Sequence, residues 1–323
     1  MSPARGGWRW VGLGVGLGLF GWVLAASDLK GVWALLTDFR WRFGMVFLFY
    51  VVIFGLDTLG WKFALQPRVQ SRIPWNRLFR IRLAGEAVNY VTPAASIGGE
   101  PVKAWILSRR YGVPMQEGVA SVIVAKTTFT LSMLLFVTLG LVVALATQPS
   151  SSRLLAWVWV VLPSLSLLLA LFVLVQFLQP FRRLERAVSR WLPESLRKTA
   201  EKVHEWDREI ISLYRKSPGS VLCSLGFHFL GWLAGAVEVY LILHFLHLPV
   251  SWATAFSLEA LWVLLRSGAF LIPASLGASE GFLLLICSGL GVSAITGLAL
   301  GLIRRAREVA WTGLGLLEFS RGT

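Results

Sequence analysis

The chain has 323 residues, of which 56% are hydrophobic, 15% charged and 16 tryptophan. Soluble domains carry about 25% charged residues, so this composition excludes an ordinary soluble enzyme and a disordered chain. The net charge of +14 would suit nucleic acid. Its basic residues, however, are separated by apolar runs near the ~20 residues needed to cross about 30 Å of hydrocarbon. The sequence reads as an all-α, multi-pass membrane protein with no nucleic-acid partner.

In chain order, six continuous spans are predicted, at about 9–26, 43–65, 118–147, 154–178, 219–246 and 292–318. The first follows Arg5 and Arg9 and ends at Ala25-Ala26-Ser27. Its length favours a retained span over a cleaved signal segment. Gly12, Gly14, Gly16 and Gly18 imitate a nucleotide loop, but inside a span they suit close helix packing.

Two more apolar stretches, about 75–107 and 252–290, hold Pro93 and Pro273 near their middles, followed by small residues. Proline removes a backbone donor and disfavours helix in the residue before it. Non-helical backbone at membrane depth needs a cover of protein or water. Both stretches therefore read as re-entrant or broken helical hairpins.

Lys and Arg collect on the cytoplasmic side. With both termini inside, most of the 31 basic residues fall in inside segments, while Lys30, Arg40, Arg42 and Arg153 fall outside. The polar insert at 180–217 carries an apolar stripe at Leu196, Ala200, Val203, Trp206, Ile210 and Tyr214. Lys198, Lys202, Arg208 and Arg215 supply its basic side. Two readings stand: a helix lying on anionic lipids of the cytoplasmic leaflet, or a helix packed on the loop ends.

Shifting the sequence by 180 residues superposes Pro93 on Pro273, Glu100 on Glu280 and Glu86 on Arg266. Lys126 then falls within the Arg304–Arg307 cluster, and Asp57 lies one residue from the position matching Glu238. Three full spans separate the hairpins, an odd number, so the second repeat is inverted. This divides the chain into membrane repeats 1–147 and 148–323, a recurring transporter plan.

Ionisable groups at membrane depth are costly and face a partner or a polar cavity. The candidates for contact with a substrate are Glu86, Asn89, Ser96, Gly98, Gly99, Glu100, Lys126, Arg266, Ser275, Glu280, Arg304, Arg305, Arg307 and Glu308. The alternative for each charge is a structural pair. Pro101 suits the first turn of a half-helix, whose positive N-terminal end would point into the membrane. No catalytic residue, metal or cofactor is assigned. Cys223 and Cys287 lack metal spacing, and His228, His244 and His247 suit interfacial packing.

Gly85-Glu86-Ala-Val-Asn89, then Pro93 and Gly98-Gly99-Glu100, resembles the first signature of flippase-like proteins related to the membrane region of lysylphosphatidylglycerol synthases. Arg266-Ser-Gly-Ala-Phe-Leu-Ile-Pro273, Gly277-Ala-Ser-Glu280-Gly281 and Arg304-Arg305-Ala-Arg307-Glu308 are most similar to hopanoid-biosynthesis-associated membrane proteins. The resemblance covers nearly the whole chain. It implies a lipid transporter of the bacterial inner membrane, moving a hopanoid or related lipid, with lipid-pathway enzymes or transport proteins as partners. Lys126 departs from the family pattern, where relatives more often carry an acidic residue. The synthases' soluble aminoacyl-transfer domain has no counterpart.

The leading function is thus lipid transport through a site between inverted repeats. A half-helix N-terminus near several Arg favours an anionic headgroup, such as a phospholipid or a polyprenyl-phosphate lipid. A membrane lipid phosphatase or transferase is the minority alternative, since none of the 4 histidines lies in a hairpin. A third reading is a scaffold docking partners on the 180–217 insert.

Overall fold

The computed structural model describes residues 7–92, 98–147, 204–269 and 272–322, with isolated positions between 163 and 178. The predicted span at 154–178, the first part of the 180–217 insert, Pro93 and Ser96 lie largely or wholly outside these residues. Every regular element described is helical. In order they are α1 (Gly7–Ala25), α2 (Leu29–Phe39), α3 (Arg42–Phe63), α4 (Pro67–Arg72), α5 (Trp75–Val91) and α6 (Gly99–Tyr111). Then come α7 (Met115–Thr147), α8 (His204–Lys216), α9 (Pro218–Phe245), α10 (Trp252–Gly268), α11 (Ala278–Gly289) and α12 (Ala294–Gly322).

Local chemistry sets the boundaries. Pro67 and Pro218 open α4 and α9 at their first turns, where a missing N–H costs nothing because it has no helical partner. The side chain of Asp28 accepts from the Gly31 N–H at 3.1 Å and starts α2. The side chain of Ser251 does the same for α10 through the Thr254 N–H at 3.1 Å. Helix α6 ends at Gly112, whose left-handed φ of 62° returns its N–H to carbonyls of the last turn.

Among the described residues three helices, α3, α7 and α9, are long and apolar enough to cross a membrane. The pair α1 and α2, bent by 94°, makes a fourth span if counted as one. Helix α2 occupies a stretch that the sequence reading leaves as an outside connection. It buries Val32 and Phe39 against the bundle. Helix α12 is long, but Arg304, Arg305, Arg307 and Glu308 interrupt its apolar run. Large apolar side chains such as Leu48, Val142, Leu222 and Leu285 stand exposed, as befits a surface facing hydrocarbon rather than water.

Both predicted hairpins break where expected, α5/α6 between Val91 and Gly99 and α10/α11 between Gly268 and Ala278. The order long helix, hairpin, long helix occurs twice: α3, α5/α6, α7, then α9, α10/α11, α12. Helix α9 packs along α3 and α7. The first helix of each hairpin packs on the closing helix of the other set, α5 on α12 and α10 on α7. Phe136, Ile242, Leu243, Leu258 and Leu283 fill the main core.

A second core joins Trp61, Leu65, Ile73, Leu78 and Leu107 at one end of the bundle. Ile210 and Leu213 of α8 are buried in it, so the described part of the amphipathic insert spends its apolar stripe on the protein. The same end holds the Gln66–Glu209 hydrogen bond at 2.9 Å, the Arg68–Glu117 pair and the Arg80–Glu318 pair at 2.6 Å. At the opposite end of α3, Arg42 bonds the Phe245 carbonyl at 3.0 Å and meets the His247 ring at 3.3 Å.

Helix α1 crosses the second hairpin at Gly277, which has φ +76°. A Cβ there would stand 2.4 Å from the Phe20 backbone nitrogen. Gly277→Ala is therefore expected to cost at least the ~1–2 kcal/mol of left-handed backbone for an L-residue. The check is thermal unfolding of purified protein in detergent, where an unchanged midpoint would remove α1 from the support of this hairpin.

Candidate functional site

The first hairpin closes by direct backbone contact. A Cβ on Gly99 would lie 1.8 Å from the Gly85 carbonyl oxygen, so α6 can cross α5 this closely only with glycine at the crossing. One turn further along α5, the side-chain oxygen of Asn89 accepts from the Gly99 N–H at 2.6 Å. The Asn89 amide donates to Glu86 at 3.2 Å. The first N–H of this half-helix is thus satisfied within the protein.

Around this crossing the charges form a chain. Lys103 donates to Glu86 at 2.8 Å and to Glu100 at 3.2 Å. Arg82 donates to Asp57 at 3.1 Å and lies 3.9 Å from Glu86. The other oxygen of Asp57 meets Nδ1 of His228 at 3.2 Å. Arg82 and Lys103 are buried partners of these carboxylates.

A partly open cavity of about 90 Å³ lies against this chain. Glu86, Glu100, Lys103 and His228 line it, together with Lys126 and Phe129 of α7. Among the described residues no carboxylate comes within ion-pairing distance of Lys126. Its ammonium stands 5.7 Å from the Phe129 ring.

The second hairpin is built differently. Its tip, Pro273–Ser275, holds Ala274 at φ 51° and Ser275 at φ 48°, two successive left-handed residues without glycine's freedom. Arg305 clamps them. It donates to the Ala274 carbonyl at 2.8 Å, to Glu280 at 2.7 Å and to the Tyr90 hydroxyl of α5 at 3.0 Å. Glu280 also accepts from the Gly277 N–H at 2.9 Å, which caps α11. Glu308 completes the group with Arg266 at 2.9 Å and Arg305 at 3.4 Å.

The sequence-predicted residues thus separate into two groups. Glu86, Asn89, Gly98, Gly99, Glu100 and Lys126 gather at the first hairpin, beside the cavity or its crossing. Arg266, Ser275, Glu280, Arg305 and Glu308 gather at the second. Arg304 and Arg307 turn away from the tip to Glu238 and Glu259 between helices. Arg304 and Arg307 also cover aromatic faces, Trp262 at 4.4 Å and Tyr50 at 4.1 Å.

His228 is the residue the sequence reading passes over. Assigned from sequence to interfacial packing, it is buried against Asp57, 171 positions away. No spacing rule links two groups so distant in sequence. Tyr90 and Lys103 were equally out of reach as partners, because their pairing depends on which helices meet.

The chain is 25% identical over 269 residues to a UPF0104 membrane protein of Methanothermobacter thermautotrophicus, spanning 79% of this chain and 77% of that one. No solved structure matches. The family described as the lysylphosphatidylglycerol synthase TM region matches residues 9–315. That match takes in both hairpins and both charged groups, and the protein belongs to the lysylphosphatidylglycerol synthase TM region family.

Proposed function

We propose that this protein carries lipids across the bacterial inner membrane, with both termini cytoplasmic, by exposing a headgroup site alternately to the two sides. The observation that carries the reading is the charged, partly open cavity beside the first hairpin of a helical membrane protein. A polar headgroup can enter such a cavity while the acyl or terpenoid tail stays in hydrocarbon. The two helix–hairpin–helix sets act as inverted repeats in a plan of about six spans, with repeat boundaries at 1–147 and 148–323. Supporting this, Glu100 occupies in the first set the place that Glu280 takes in the second, and Lys126 falls at a position within the Arg304–Arg307 cluster.

The reading is one of transport rather than catalysis. The described lining of the cavity offers carboxylates, cations and aromatic rings, and no hydroxyl or thiol nucleophile among them. Two headgroup chemistries suit it: the aminated polyol of a hopanoid, which the family likeness suggests, and a phosphate-bearing lipid, which the unpaired Lys126 favours. The exposed Arg208, Arg215 and Lys216 of α8 meet anionic lipids at the cytoplasmic face, and lipid-biosynthesis or transport proteins act with the carrier.

Reconstitution in proteoliposomes tests the reading. Glu100→Gln and Glu280→Gln should each slow lipid translocation roughly tenfold, the scale of one lost charge-assisted hydrogen bond, while membrane insertion persists. Mass spectrometry of co-purifying lipids should show an enriched lipid in the wild type that the double variant loses. Wild-type translocation by both single variants would take the hairpins out of the mechanism.

A further inference from the structure

Helix α2 lies across the ends of other helices rather than along them. A Cβ on Gly31, near its start, would stand 3.4 Å from Ile295, the second residue of α12. Phe39, its last residue, meets the ring of Phe245, the last residue of α9, at a centroid distance of 6.3 Å. These two helix ends share one side of the bundle. The far end of α12 pairs through Glu318 with Arg80, at the end that holds α4 and α8. Arg42, which opens α3, bonds the Phe245 carbonyl at the opposite end. The 94° bend from α1 agrees with this course. Nor is α2 needed to complete a span: the 19 residues of α1 rise about 28 Å, close to the thickness of the hydrocarbon.

Three sides of α2 differ in character. Val32 and Phe39 are buried against the bundle. Leu29 and Trp33, four positions apart and so on one flank, stand out from the protein, with Trp33 69% exposed. Lys30, Ala34, Thr37 and Asp38 share the other flank and are exposed as well. A helix with an apolar and a polar flank, both uncovered, suits a boundary between water and hydrocarbon.

Tryptophans mark the level of that boundary. Trp22 lies one turn from the end of α1, Trp41 stands immediately before α3, and Trp252 opens α10. All three are exposed at this end of the bundle, and indole rings collect at headgroup level. The charges agree. Asp28 is engaged with the Gly31 N–H, and Asp38 with Arg42 at 3.0 Å and His247 at 3.3 Å. Among the described residues Lys30 and Arg40 have no carboxylate within ion-pairing distance, and phosphate of a lipid headgroup is their complement.

We infer that α2 is an interfacial helix that docks on the headgroup layer of the non-cytoplasmic leaflet. Leu29 and Trp33 enter the upper hydrocarbon, while Lys30 and Arg40 meet phospholipid phosphate. The helix thereby ties α1, which crosses the second hairpin at Gly277, to the bilayer surface. The choice of leaflet rests on the topology of the carrier reading; the interfacial placement does not.

The test uses the full chain with Cys223→Ser and Cys287→Ala, which leaves no native cysteine. Leu29→Cys, Lys30→Cys, Trp33→Cys, Ala34→Cys and Thr37→Cys are each spin-labelled in vesicles of phosphatidylethanolamine and phosphatidylglycerol. Electron paramagnetic resonance then compares collisions with oxygen, which enriches in hydrocarbon, and with a water-soluble nickel chelate. The ratio should follow the helical period of about 3.6 residues, high for oxygen at Leu29 and Trp33 and high for nickel at Lys30, Ala34 and Thr37. A steady change from Leu29 to Thr37 would make α2 the continuation of a span and overturn the placement. Nickel access at every position would put the helix in water, and access of neither reagent would put it under another protein surface; each overturns the placement too.

The leaflet is read separately. An impermeant maleimide added to spheroplasts should block Ala34→Cys. Blocking only after the cytoplasmic face is opened would overturn the leaflet assignment together with the topology of the carrier reading. Periodic accessibility in a protein that moves no lipid would support the interfacial helix and overturn the carrier.

Discussion

Glu238→Gln is expected to be the most damaging single charge change in the protein. Glu238 is 1% exposed and serves two arginines, Arg307 and, at 3.3 Å, Arg304. Arg304 also lies 2.8 Å from Glu259, an ionic contact whose angles do not make a hydrogen bond. Two carboxylates and two guanidiniums therefore balance here, away from water. Removing one carboxylate leaves a buried positive charge, and breaking a buried pair from one side costs about 3–5 kcal/mol. The result to expect is a large fall in the melting midpoint and in the yield of monodisperse protein in detergent. Glu238→Gln/Arg307→Met removes one charge of each sign and should recover much of that loss. A double variant as unstable as the summed singles would show that the pair is not coupled.

Gly99→Leu is the second. The Gly85 carbonyl oxygen occupies the place of a Gly99 side chain, 1.8 Å from where a Cβ would sit. Backbone cannot yield as a flexible side-chain end can, so α5 and α6 must separate. Separation removes the 2.6 Å bond from the Gly99 N–H to Asn89 and the 2.8 Å bond from Lys103 to Glu86. Overpacking alone costs about 1–3 kcal/mol, and the two lost polar contacts add to it. Lipid translocation should fall at least tenfold together with the melting midpoint. Gly14→Leu is the matched control, since nothing stands within 4 Å of a Cβ at Gly14. Equal behaviour of the two variants would mean that the hairpin crossing is not needed.

Both results concern contacts that differ in how far the sequence announces them. Gly85, Gly98 and Gly99 stand out in the chain as small residues near a proline, and the break between Val91 and Gly99 follows from that local chemistry. Which backbone atom Gly99 touches does not. Likewise, placing Glu238 in an apolar run marks it as needing a partner, but the two arginines that answer it lie 66 and 69 positions away. The half-helix N-termini illustrate the same limit. Their orphan donors suggested open anion sites, whereas Asn89 and Glu280 occupy the Gly99 and Gly277 N–H groups from within. The amphipathic stripe of the 180–217 insert was visible by its period, and burial of Ile210 and Leu213 decides what its described part covers.

By itself the sequence determined that the chain is helical and membrane-embedded, where its main helices run, and where two of them break. These properties follow from hydrocarbon thickness, backbone hydrogen bonding and proline chemistry, which act over a turn or a span. The tertiary structure alone decided that a cavity lies beside the first hairpin while Arg305 holds the tip of the second, and that His228 meets Asp57. Those outcomes depend on α9 lying against α3 and α7, and on a salt-bridge partner being chosen by distance in space. In a low-dielectric interior a charge takes whichever opposite charge packing brings within reach, and no spacing along the chain encodes that choice.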